Sequence, residues 1–396
     1  MANILYLAHR IPYPPNKGDK IRSWNFLVRM AAEHTVHAAF FIDDRRDKAF
    51  VPHIASHTKS LHYKEVSPFV QKLLSLRALL NGKSLTEMAY PYRDLRKYAT
   101  ALAAEGKLDA IFVFSAAAAP IARDIEGVPI ICDLVDVDSQ KWQSYAEKSR
   151  WPLSWLYARE AKKLGRFEAS LAEHSKACLL VSEDEAALFC SLNSTLKQQV
   201  TAIPNGVDIS QFDPGLYTND AQSNRLLFSG AMDYQPNIDA VTWFCENVLP
   251  LVQQQLPDLE FVIAGGPTPP AVARLARLRG VSVLGYVDDM AEMISTATVC
   301  IAPLQIARGI QNKVLEAMAM AKPVVATSLA NEGINAVHGS ELLMADTPSD
   351  FASAIKELFE NPDMALKLGD NARNFVSLNF SWNHSFELLN AYLLGE

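Results

Sequence analysis

No stretch of the sequence approaches the ~20 uninterrupted apolar residues that a membrane-spanning helix needs. The opening MANILYLAHRIPYPP lacks the basic leader of a secretory signal and is too short for one. It reads as a buried first strand ended by prolines, and a cytoplasmic location is expected. Cysteine is scarce, and the five (Cys132, Cys178, Cys190, Cys245, Cys300) are odd in number and form no C-x-x-C. Most lie in apolar runs such as ACLLVS and TVCIAP, which reads as buried reduced thiols rather than a disulfide framework or a zinc ribbon. No metal is expected. No G-x-G-x-x-G follows any strand-like segment, which argues against a nicotinamide dehydrogenase.

What is present is an ordinary globular balance. The 396 residues are 49% hydrophobic and 20% charged, enough for two domains with separate cores. The net charge of −7 is unevenly spread. Residues 1–200 hold 27 Lys+Arg against 22 Asp+Glu, about +5, which leaves 10 against 22, about −12, for the rest. If the asymmetry is more than scatter, the first half meets an anionic partner such as a membrane surface or a lipid pyrophosphate. Nucleic acid is not expected.

Short β-branched runs alternate with helical-period segments along both halves, which predicts parallel sheets built from βαβ units. In the first half the strands are expected near 3–7, 35–41, 110–114, 129–134 and 177–181. In the second half they are expected near 226–229, 260–264, 281–284, 299–302 and 323–326. Helices are predicted over 237–255 and 313–321. Ile203-Pro204-Asn205-Gly206-Val207-Asp208 marks a boundary, giving domains 1–203 and 204–379. Ser381 stands as an N-cap before a terminal helix within 380–396, expected to pack back on the first domain.

The richest segment for chemistry is APLQIARGIQNKVLEAMAMAKPVVA, residues 302–326. A strand ends, a loop follows, and a helix starts near Asn312, where ligands of open α/β sheets bind. Gly309 allows close backbone approach, the helix start favours a phosphate, and Lys313 adds a point charge. Glu316 shares a face with Asn312 and Lys313 and is able to accept hydrogen bonds from both vicinal hydroxyls of a ribose. By spacing alone, Lys313 and Glu316 also read as a plain surface pair.

This K-V-L-E-A-M-A-x-x-K-P-V-V-A-T pattern resembles the nucleotide-sugar motif of the retaining glycosyltransferase family 4, which has the GT-B fold. The boundary segment IPNGVD, the strand ending FVIAGG and Leu284-Gly285-Tyr286-Val287-Asp288 resemble the same family. The resemblance implies an α/β protein with two Rossmann-like domains whose parallel sheets face across a cleft. It also implies a nucleotide diphosphate sugar as substrate, with no bound cofactor. By the same resemblance, Glu316 holds the donor ribose, Lys313 the diphosphate, and Gly285, Tyr286 and Val287 the base. Two departures stand out. Arg308 occupies the position of the family's glutamate near the transferred sugar. The strand running into Ser229-Gly230-Ala231 lacks the Arg and Lys that often follow it there. Arg308 and Lys313 together are expected to replace that pair and neutralise the leaving diphosphate without a metal.

In the first half, PPNKGDKIR resembles the family's glycine-rich first loop. Gly18 is expected near the donor, with Lys20 and Arg22 gathering an anionic acceptor. The plain alternative is a basic surface turn. The stretch DLVDVDSQKW leaves a strand end with Asp136 and Asp138 as candidates to orient or deprotonate the acceptor hydroxyl, and Asp133 inside the strand. It further resembles sugar transferases of exosortase-associated exopolysaccharide systems. The acceptor is then a saccharide or a lipid-linked saccharide. Residues 69–83 and 150–166 mix Trp, Leu and Tyr with Lys and Arg, as helices lying on anionic bilayers do, so peripheral contact with a membrane is expected. Two alternatives remain: a GT-B nucleotide-sugar epimerase, and a nucleotide-sugar-binding scaffold without turnover, which Arg308 would suit.

Overall fold

The computed structural model describes residues 1–15, 18–217, 224–307 and 310–395. The chain divides into two compact units, Met1–Pro204 with Ser385–Glu396, and Asn205–His384.

The first unit is built on seven parallel strands: β1 (Asn3–Ala8), β2 (Thr35–Ile42), β3 (Ser60–Glu65), β4 (Ala110–Phe114), β5 (Ile130–Val135), β6 (Ala177–Leu180) and β7 (Val200–Ala202). Their order is β3-β2-β1-β4-β5-β6-β7. The central strands read as continuous apolar runs because helices cover both faces, and residues Ile4 to Ala8 have no exposed surface. Topology reverses between β1 and β4, so the crevice for a ligand lies beyond their carboxyl ends.

The second unit repeats the plan with six parallel strands: β8 (Arg225–Ser229), β9 (Glu260–Ala264), β10 (Val281–Gly285), β11 (Val299–Ala302), β12 (Val324–Ala326) and β13 (Leu343–Met344). Their order is β10-β9-β8-β11-β12-β13, and the reversal falls between β8 and β11. All ten expected strands are present, with ends shifted by at most one residue. The three unforeseen ones, β3, β7 and β13, are edge strands that are short or half-exposed, so their burial pattern is weak.

The long helix expected over 237–255 is interrupted. It runs Gln235–Trp243, widens into a π turn at Phe244–Val248, and resumes at Leu249–Gln255. Pro250 is the physical reason: its ring lacks an N–H and crowds the carbonyl four residues back, and the wider turn relieves that crowding. At the C-terminus Ser381 Oγ accepts the His384 N–H, capping the helix Trp382–Leu394.

Lys20 and Arg22 correct an expectation. Arg22 has no exposed surface; its Nε donates to Asp133 Oδ2 at 2.8 Å, and one Nη donates to the Ile203 carbonyl at 2.9 Å. Lys20 is also buried and bonded to Asp47 at 2.5 Å. Neither is available to an acceptor. Helical periodicity turns position 22 toward the sheet together with Phe26, and a guanidinium there requires a carboxylate, which β5 supplies. Removing one partner of a buried pair strands the other charge, so Arg22→Ala is expected to cost about 3 kcal/mol. In a thermal melt this reads as a fall of about 6–12 °C, and a smaller shift in Arg22→Met/Asp133→Leu would confirm that the stranded charge is the cause.

Candidate functional site

The clearest site lies in the second unit at the reversal between β8 and β11, where a cavity of about 400 Å³ opens beyond the strand ends. The helix Asn312–Ala319 buries Val314, Leu315, Ala317, Met318 and Ala319, which leaves Asn312, Lys313 and Glu316 on the stripe facing the cavity. Gly230, Tyr286 and Val287 line it too, and Gly285, ending β10, accepts the Gly265 N–H at 2.7 Å beside it. Tyr286 is 80% exposed, an aromatic face with little covering it. Arg308 and Gly309 lie outside the described residues.

Two backbone features shape the cavity. Gly265 has φ +125°, and a Cβ on it would stand 2.1 Å from the Gly230 carbonyl oxygen, so only glycine fits where the two strand ends converge. A Cβ on Gly230 would stand 2.9 Å from Asn237 Nδ2 and 3.2 Å from Lys313 Cε. Space at Gly230 is thus what allows Asn237 and Lys313 to meet.

Asn237, unforeseen in the sequence, organises the cation. Lys313 Nζ donates to Asn237 Oδ1 at 2.9 Å and to Gln311 Oε1 at 3.3 Å, while Asn237 Nδ2 donates to the Ala231 carbonyl at 2.8 Å. Both partners of the ammonium are neutral amides, so its charge is held in place without being cancelled by a hydrogen-bonded carboxylate. The surface-pair reading of Lys313 and Glu316 is corrected, since both side chains are half-buried and the amine bonds elsewhere. Both line the cavity. Burial pushes the Glu316 carboxyl up to about 7, with Lys313 pulling the other way. Burial likewise pushes Lys313 down to about 8, opposed by Glu316.

The first unit has its own cavity, about 610 Å³, at the reversal between β1 and β4. His9 after β1, Ser115 after β4, and Asp138, Tyr90 and Trp142 line it. Ser115 (φ 71°) and Val135 (φ 70°) take left-handed conformations at the ends of β4 and β5. Such conformations cost on the order of 1–3 kcal/mol each and cluster at functional sites.

The loop after β5 is held by two carboxylates: Glu185 accepts the Val137 N–H at 2.7 Å and Glu168 accepts the Ser139 N–H at 3.2 Å. Lys141 Nζ sits 2.7 Å from Asp136 and 3.1 Å from Asp138. Of the two candidate acids, Asp138 lines the cavity. His9, which sequence reasoning missed, is stacked on Phe114 at 6.2 Å, and burial with the neighbouring Arg10 lowers its pKa, keeping the ring neutral near pH 7. Its Nδ1 is buried and has no hydrogen-bond partner among the described residues. A polar residue ending an apolar first strand was the available signal. Gly18 begins the helix Gly18–Glu33, with open space where a Cβ would point.

His53 and His57, four residues apart, pack in an aromatic cluster with Trp24 and Tyr13. Among the described residues no three His, Cys, Asp or Glu side chains gather as a metal site, and no helix is long and apolar enough to cross a membrane.

Two parallel-sheet Rossmann-like units, each with a ligand cavity where its strand order reverses, make this a GT-B fold. Solved structures share it from end to end. Alr3699/HepE of Anabaena, in complex with UDP, superposes with a TM-score of 0.68 at 14% identity, covering 100% of both chains. WaaG, a glycosyltransferase involved in lipopolysaccharide biosynthesis, gives 0.63 at 13% identity, again over 100% of both. Residues 223–361, which contain every described residue lining the second unit's cavity, match the family described as Glycosyl transferases group 1. A 44.6 kDa protein in the cps region of Klebsiella pneumoniae is 24% identical over 169 residues, 41% of this chain and 44% of that protein. The chain spans about half the length of the curated relatives it matches.

Proposed function

We propose that the protein is a glycosyltransferase that moves a sugar from a nucleoside diphosphate sugar to a hydroxyl of a saccharide or lipid-linked acceptor. The observation that carries this reading is the second unit's cavity, where an ammonium hydrogen-bonded to neutral amides and a half-buried carboxylate stand 3 residues apart on one helix start. Lys313 faces the diphosphate, Glu316 accepts from the ribose hydroxyls, and Tyr286 offers a face to the base. The match to Glycosyl transferases group 1 over these residues supports it, as do the solved complexes of HepE with UDP and UDP-glucose.

In the transfer, the bond from the anomeric carbon to the diphosphate oxygen breaks and a bond to the acceptor oxygen forms. The electron pair leaves with the diphosphate, and the acceptor proton passes to Asp138 or to the departing diphosphate. Lys313 stabilises the negative charge that develops there, which is work a metal does elsewhere. Resemblance to family 4 supports retention of anomeric configuration. The relatives named for a cps region and for lipopolysaccharide biosynthesis support a role in exopolysaccharide or cell-surface glycan synthesis on the cytoplasmic side.

Calorimetric titration of UDP, GDP and ADP without metal tests the reading. One nucleotide is expected to bind, and its sugar diphosphate to be turned over with a saccharide acceptor. Failure of all three to bind would overturn it. Binding without turnover would favour the scaffold, which Arg308 in place of a glutamate also suits.

A further inference from the structure

We infer that the first unit carries a docking surface for an anionic lipid bilayer, formed where two segments distant in sequence come together beside its cavity. The first segment is the helix Pro68–Leu76 followed by Ala78–Asn81. The helix Pro68–Leu76 contains no buried residue. One stripe of it, Pro68, Gln71, Lys72, Ser75 and Leu76, lines the 610 Å³ cavity. The adjoining stripe, Phe69, Leu73 and Leu80 at helical spacing, points outward, with Phe69 76% and Leu80 89% exposed.

The second segment is the start of the helix Leu153–Glu173, preceded by Trp151. Trp151 is 81% and Trp155 58% exposed. The two segments are fastened to each other. Arg159, one turn from Trp155 on the same helix face, donates to the Ala78 carbonyl at 2.8 Å and the Lys83 carbonyl at 3.1 Å. The buried Glu160 accepts the Leu85 N–H at 2.6 Å and the Thr86 N–H at 3.0 Å. The segments that carry the aromatic and aliphatic side chains are thus held side by side.

Charge complementarity identifies the occupant. Residues 68–83 and 148–166 contain nine Lys and Arg and a single acidic residue, Glu160, which is buried and spent on backbone amides. Lys72, Arg77, Lys148, Arg150, Lys162 and Arg166 are exposed, and no ion-pair partner is seen for them among the described residues. A protein whose net charge is −7 has therefore placed its cations, nearly free of acids, on the same two segments that expose these apolar side chains. Exposed Trp, Phe and Leu inserting at head-group depth, ringed by Lys and Arg, is the chemistry that binds an anionic interface. Because the same helix lines the cavity, docking sets the cavity beside the head groups, where a lipid-anchored acceptor resides.

Co-sedimentation with extruded vesicles tests this independently of the sugar-transfer reading. The protein is expected to pellet with phosphatidylcholine vesicles containing phosphatidylglycerol, to stay in solution with pure phosphatidylcholine, and to be released by salt. Phe69→Ser/Leu73→Ser/Leu80→Ser and Lys162→Glu/Arg166→Glu are each expected to lower partitioning by about tenfold or more. Unchanged melting temperature and nucleotide binding show that the variants remain folded. Equal partitioning of wild type and variants overturns the inference. So does a wild-type dimer that the serine variant dissociates without any vesicle binding, since a second copy then covers the face.

Discussion

Glu316→Ala is expected to weaken binding of the preferred nucleotide by about a hundredfold, because two hydrogen bonds from ribose hydroxyls to a charged carboxylate are lost together. The pH dependence is the sharper readout. The carboxyl sits near about 7 in the free protein, and the ribose hydroxyls bond best to its ionised form. As pH falls below that value a proton must be displaced before nucleotide binds, and affinity drops roughly tenfold per unit. Above about 8, Lys313 loses its charge and the hold on the diphosphate weakens. The affinity of the wild type is therefore expected to peak between the two. Glu316→Gln should abolish the acid limb while leaving an alkaline one. An acid limb that survives in that variant would place the titrating group elsewhere.

Asp138→Asn is expected to lower turnover by about 10²–10⁴ while nucleotide affinity stays unchanged, as loss of a general base does. Asp136→Asn is the matched control. Both carboxylates touch Lys141, so either substitution disturbs the same ion pair, yet only Asp138 borders the cavity. A fall of less than about threefold in the control, against the large fall in Asp138→Asn, separates catalysis from support of the loop. His9→Ala extends the test. Its neutral ring with an unpartnered Nδ1 is suited to positioning a hydroxyl, so its effect is expected mainly in the acceptor KM. Equal losses from the two aspartate substitutions would mean that the loop after β5, and neither single carboxylate, is what matters.

How much of this was legible in the sequence depended on burial. Central strands such as β4, β9 and β11 had no freedom to be anything else, because full burial on both faces demands an unbroken apolar run. Edge strands such as β3, SLHYKE, carry solvent-facing polar residues that erase the pattern. The stripe Asn312–Lys313–Glu316 could be read from helical spacing alone, since an amphipathic helix has one face to bury and one to spare. Asn237 could not, because its role depends on meeting Lys313 across 76 residues of chain. Arg22 was misread for the same reason: a cation near a loop looks like surface until its distant partner, Asp133, is seen beside it.

Among the described residues, each of these two cavities is lined by a single unit: the larger by segments between His9 and Trp142, the smaller by segments between Ser229 and Glu316. On the proposed reading, preference for the donor is encoded in a different stretch of gene from preference for the acceptor. Recombination near Pro204 would exchange one repertoire and leave its counterpart intact. Such an architecture lets new pairings of substrates arise by shuffling halves, without remodelling either cavity.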